Sequence, residues 1–67
     1  MELVYLLEHI PLGTKVAIER NQSVVVATVK EHLSKIELGE IFLVDEIDPD
    51  GYTDANGITY MKIYTRE

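Results

Sequence analysis

The run Val24-Val25-Val26-Ala27-Thr28-Val29-Lys30 constrains this chain more than any other segment. Side chains branched at Cβ lose rotamer freedom in a helix and pack well on a pleated surface. Residues 24–30 therefore read as a strand, and a strand needs a neighbour. Lys15-Val16-Ala17-Ile18-Glu19-Arg20 supplies one, with Val16 and Ile18 inward and Lys15, Glu19 and Arg20 flanking. Asn21-Gln22-Ser23 between them is polar and of hairpin-loop length, so the two strands are expected to pair antiparallel.

The rest of the chain is read outward from this hairpin. Leu3, Leu6, Leu7 and Ile10 fall at helical spacing, which predicts a short helix over 2–10 that Pro11 stops. A strand over 3–7 is the competing reading. The leucine face needs cover, either from the chain's own strands or from a second copy. Residues 31–38 read as a connection of at most one helical turn, ended by Gly39. A third strand is expected over 40–47, with Ile41, Leu43 and Ile47 on one face and Phe42 and Val44 on the other. Asp48-Pro49-Asp50-Gly51 carries the residues of a tight turn. A short strand over 52–55, an Asn56-Gly57 type I′ hairpin turn and a last strand over 58–65 complete the count at five.

Sixty-seven residues make one domain at most, 1–67. A core of that size contributes only about 3–5 kcal/mol unless something staples it. There is no cysteine for a disulfide, and two histidines, His9 and His32, are too few for a structural zinc site. Closing the sheet would remove its exposed edges. The expected fold is thus mainly β: a small five-stranded curled antiparallel sheet or barrel over 12–65, behind one short N-terminal helix. Leu12-Gly13-Thr14-Lys15-Val16-Ala17-Ile18 and Leu38-Gly39-Glu40-Ile41-Phe42-Leu43-Val44, each led into a strand by glycine, resemble the SH3-like small barrels. The Asp50-Gly51-Tyr52 and Asn56-Gly57 turns add to that resemblance. The basic residues and inner glycine of nucleic-acid-binding KOW units are absent.

Charge is segregated. Residues 36–61 hold seven carboxylates and no Lys or Arg: Glu37, Glu40, Asp45, Glu46, Asp48, Asp50 and Asp54. The remainder carries five acids against six bases, so the formal net charge of −6 resides in that segment. A one-signed field repels nucleic acid and anionic membrane and raises encounter rates with a basic surface. Tyrosine is enriched where proteins bind one another, and Tyr52, Tyr60 and Tyr64 lie in the last hairpin. The expected partner-binding residues are Glu40, Asp45, Glu46, Asp48, Asp50, Tyr52, Asp54 and Tyr60. The expected partner is a protein with a basic surface, with no direct nucleic-acid or membrane contact. The chain itself is expected to be a monomer or homodimer; the alternative function is a structural or assembly subunit that oligomerises through its helix or an edge strand. The small, acidic, cysteine-free character is similar to that of phage-encoded inhibitors that occupy nucleic-acid-binding proteins.

Calcium binding and catalysis are the two other chemistries for which the sequence holds candidate residues. Glu46, Asp48, Asp50, Gly51 and Asp54 match positions 1, 3, 5, 6 and 9 of a calcium loop, but Gly57 stands where position 12 requires a bidentate Glu. Catalysis lacks parts. Ser23 and Ser34 lie in polar connections, and neither histidine has a nucleophile and an orienting acid beside it in sequence. No enzyme activity and no cofactor are expected. Without a basic leader or a long apolar run the chain reads as cytoplasmic.

Overall fold

The computed structural model describes residues 1–35 and 42–67. Its elements run α1 (Leu3–His9), β1 (Lys15–Arg20), β2 (Ser23–Thr28), α2 (Val29–Lys35), β3 (Leu43–Thr53) and β4 (Thr59–Arg66). The strands form one open four-stranded sheet in the order β2-β1-β4-β3. β1 pairs antiparallel with β2 and β3 antiparallel with β4, while β1 and β4 run parallel.

Both helices serve one face of this sheet. On α1, Leu3 and Leu7 are buried and Leu6 and Ile10 pack beside them, so the leucine face is covered by its own chain. Val29 and Leu33 of α2 meet the same core, opposite Val16, Ile18, Met61 and Ile63. Phe42 and Val44 complete it, and the Arg20 guanidinium stacks 4.1 Å from the Phe42 ring centre. The architecture remains mainly β, but two of its expected features differ. The described strands number four, and the sheet does not close into a barrel or run wholly antiparallel. A helical layer already covers the apolar face, so closure is not needed to bury it.

α2 was expected as a single turn inside a connection. It begins instead directly after β2, because Thr28 and Glu31 form a capping box. The Thr28 N–H and hydroxyl donate to Glu31 Oε2 at 2.7 and 2.8 Å, and the Glu31 N–H approaches Thr28 Oγ1 at 3.4 Å. The Thr28 N–H holds the Glu31 carboxyl below its ordinary pKa, and the Thr28 hydroxyl adds to this. The expected stop at Gly39 and the start of the third strand at Glu40 lie outside the described residues.

The turn residues act differently from expectation at three places. Asn21 and Gln22 alone reverse the chain between β1 and β2, at φ 49° and 69°, the left-handed geometry of a type I′ turn. Asn56-Gly57 does not. There only Gly57 has positive φ (81°), and the Gly57 N–H donates to the Asp54 carbonyl at 3.0 Å. Residues 55–57 thus form a three-residue loop ending in a left-handed glycine. The third departure is Asp48-Pro49-Asp50-Gly51, which does not split the strand. Asp48 pairs with Lys62 and Tyr52 with Tyr60, so residues 49–51 stand against Met61 as a bulge inside β3. Pro49 has no N–H for the ladder, and the Asp50 N–H turns back to Asp48 Oδ1 at 3.3 Å. Gly51 is required there: a Cβ on it would lie 2.6 Å from Lys62 Cβ and 2.8 Å from Asp48 Cβ.

A smaller bulge at Asp45 sets which side chains of β3 face the core. Val44 pairs with Thr65 and Glu46 with Tyr64, leaving Asp45 as the extra residue. Val44 and Ile47 consequently share the helix-covered face, although three positions apart. Glu46 and Asp48 point to the other.

Candidate functional site

The uncovered face of the sheet carries Tyr60, Lys62 and Tyr64 from β4 and Glu46, Asp48 and Tyr52 from β3. Ladder partners share a face, and these residues pair directly with one another. The tyrosine face of the last strand is therefore the open one, and Met61 and Ile63 face the core.

Lys62 lies at the centre of this open face. It is buried, at 8 % relative exposure, beneath the β3 bulge. Its Nζ is 3.8 Å from Glu19 Oε1, 4.8 Å from the Tyr64 ring centre and 5.7 Å from that of Tyr52. The ammonium thus balances one carboxylate and rests near two aromatic rings. Tyr52 in turn meets Tyr60 edge-on, with centroids 5.8 Å apart and planes at 66°. This row of aromatic and cationic groups joins Tyr52, Tyr60 and Tyr64 into one surface. Sequence reading missed Lys62, because a lone lysine in a β-strand carries no signal of the bulge that covers it.

The expected partner-binding acids within the described residues separate into three groups. Asp54 is occupied by the hairpin loop: its Oδ1 accepts the Asn56 and Ile58 N–H groups, both at 2.9 Å, and its Oδ2 accepts the Tyr60 hydroxyl at 3.0 Å. The Ile58 N–H does most to hold its carboxyl below the usual range, and the hydrogen bond that the Tyr60 hydroxyl donates to Asp54 raises the Tyr60 phenol. Asp45 forms an exposed ion pair with Arg66 at 3.6 Å. Glu46, Asp48 and Asp50 are exposed, and no basic side chain among the described residues pairs with them. Glu40 lies outside the described residues.

Those three acids line the outer edge of the sheet. Among the described residues β3 has β4 on one side only, and its other side is met just at the start. There Glu2 bridges Leu43, the Leu3 N–H donates to the Phe42 carbonyl, and the Val44 N–H donates to the Met1 carbonyl. From Asp45 onward the described residues leave that edge open. The calcium register is spread along this extended strand, and no cluster of three or more ligating side chains occurs among the described residues.

His9 and His32 have local roles. His9 Nδ1 lies 2.7 Å from the Tyr5 carbonyl, and the two rings stack. His32 is buried against the sheet, and its Nε2 has no hydrogen-bond partner among the described residues. Burial lowers its pKa below the ordinary value, against a hydrogen bond to the Val16 backbone that raises it. Among the described residues no helix is long and apolar enough to cross a membrane. No family model, curated protein or solved structure matches the chain.

Proposed function

We propose that this chain is a protein-binding module whose acidic β3 edge engages a basic surface, such as that of a nucleic-acid-binding protein. The observation that supports this reading is the placement of Glu46, Asp48 and Asp50. They are exposed, without a basic partner among the described residues, and aligned along one sheet edge. Glu46 and Asp48, two residues apart on the ladder, repeat at about 6.7 Å, a spacing that an extended basic segment or a patch of Lys and Arg can follow, and Asp50 adds a third carboxylate from the bulge beside them. The Tyr52–Tyr60–Tyr64 row lies beside them and offers aromatic contact area next to the charge.

The test is binding of an oligolysine peptide, with oligoglutamate as control, by the chain and by the variant Glu46→Gln/Asp48→Asn/Asp50→Asn. Asp45 and Asp54 are left intact because each pairs with another side chain, and Asn at position 48 keeps an Oδ1 for the Asp50 N–H. Affinity for the cationic peptide is expected to fall at least about tenfold between low salt and roughly 0.5 M salt, as contacts between exposed charges do. It is expected to be lost in the variant. A protein captured from lysate through this edge should be released by its own nucleic acid if the edge occupies a phosphate-binding surface. Affinity that ignores both salt and the three substitutions refutes the assignment.

A further inference from the structure

The two edges of the sheet are built in opposite ways. β3 carries Asp45, Glu46, Asp48 and Asp50, a proline and two bulges, all of which discourage another strand from adding there. β2 has none of these. It is Ser-Val-Val-Val-Ala-Thr, without charge, proline or bulge, and it pairs only with β1 among the described residues. Val24, Val25 and Val26 are 38, 42 and 40 % exposed. The exposed valines span both faces of the strand, so neither face of this edge is buried.

The hairpin geometry identifies which backbone groups are free. A two-residue turn closes on a hydrogen-bonded pair, here Arg20 with Ser23, and such pairs alternate along an antiparallel ladder. Ser23, Val25 and Ala27 therefore direct their N–H and C=O groups at β1, while Val24, Val26 and Thr28 direct theirs outward. Two observed bonds agree with this phase. The Val29 N–H continues the inward series to the Thr14 carbonyl at 2.9 Å, and the outward Thr28 N–H is taken by Glu31. Among the described residues, nothing pairs with the donors and acceptors that Val24 and Val26 direct away from the sheet.

We propose that β2 is a self-association edge, on which a second copy of this chain pairs antiparallel about Val25 to give a two-fold symmetric dimer. In this register Val24 of each copy meets Val26 of the other, and each such pair exchanges both N–H···O bonds. Val25 meets its own copy across the axis on the helix side. Two four-stranded sheets become one continuous sheet of eight.

β2 carries no charge, so two copies of it meet without like-charge contact, and charge layout selects it over β3 as the docking edge. With strands about 4.8 Å apart, the two acidic β3 edges of this dimer lie seven spacings apart, about 34 Å. That is several times the screening length of about 8–10 Å at physiological salt. Pairing through β3 would set the same acids one spacing apart. Docking β2 of one copy on β3 of the next would meet the bulges and leave an open end, growing fibres instead of closing. One strand pair is a small interface, so the dimer is of the weak, concentration-dependent kind.

Sedimentation equilibrium of the full chain over micromolar to millimolar concentration tests this, together with amide hydrogen exchange. The expected result is a monomer–dimer equilibrium in which exchange at Val24 and Val26 slows as concentration rises. Salt should strengthen association, because the protomers repel and the interface holds no ion pairs; binding through the acidic edge responds in the opposite sense. Val26→Pro removes an outward N–H without touching the β1 ladder, and Val25→Lys places like charges on the axis. Each is expected to raise the dissociation constant at least about tenfold. Val25 is exposed, so Val25→Lys retains the monomer fold, which circular dichroism verifies. A strict monomer at millimolar concentration, open-ended polymers, or a dimer indifferent to both substitutions overturns the proposal.

Discussion

His32 shows how one side chain can act against the helix that carries it. It occupies a buried position of α2, yet its Nε2 is unpaired among the described residues, and a buried polar atom left unpaired costs about 1–3 kcal/mol. Burial is the main cause of its lowered pKa; Lys35 and Arg20 push the same way, and Glu31 and the Val16 backbone oppose. The folded state thus resists a proton that the unfolded chain accepts near the ordinary value of 6.5. Stability should be full above that value and should fall as pH drops through it toward the lower folded pKa. Thermal melts from pH 8 to pH 5 should show this loss, and His32→Leu should flatten it. An unchanged pH slope in that variant would place the proton elsewhere. The lowered carboxyls of Glu31 and Asp54 act further down, from their ordinary values of 4.5 and 3.8 toward the lower folded ones, and leave this window clear.

At the scale of elements, the two hairpins invert the usual relation between sequence and turn. Asn56-Gly57 has the composition of a type I′ turn but closes a three-residue loop, because the Asp54 side chain gathers the Asn56 and Ile58 N–H groups and fixes a wider loop. Asn21-Gln22 lacks glycine but adopts positive φ at both residues, held there by the β1–β2 ladder. Gln22 in that geometry pays a steric cost that glycine does not. Gln22→Gly should therefore raise the unfolding free energy by about 0.5–1 kcal/mol, less whatever glycine loses in the unfolded chain. Urea titration measures it, and a destabilised variant would mean that the Gln22 side chain contributes contacts of its own. The α2 capping box was present in the sequence as Thr28-Val29-Lys30-Glu31, and the valine run hid it. Val29 belongs to the helix because Thr28 already satisfies the first turn.

For the whole molecule, charge and topology act together. The chain carries −6, and the acids at 45, 46, 48 and 50 follow one another along a single strand. Self-repulsion of this kind opposes the compact state and is screened by salt. The melting temperature should rise between low salt and roughly 0.5 M sodium chloride, and less so in the Glu46→Gln/Asp48→Asn/Asp50→Asn variant. Equal salt dependence in the two proteins would show that these acids do not repel one another. The sheet order places this edge as far from β2 as the sheet allows, so one charged and one neutral edge coexist on a very small molecule.

The sequence by itself determined the N-terminal helix, the first hairpin, the segregation of acid and the β-rich character. Each follows from local spacing, from β-branching or from charge, which neighbours along the chain suffice to express. The tertiary structure decided the rest. Whether the sheet closes depends on what covers its apolar face, and α1 and α2 do so here. The parallel β1–β4 pairing is a contact between distant segments that no local pattern encodes. Asp48-Pro49-Asp50-Gly51 is turn chemistry in any window of a few residues. It becomes a bulge because β4 continues past it on one side, with Lys62 filling the space that Gly51 leaves open.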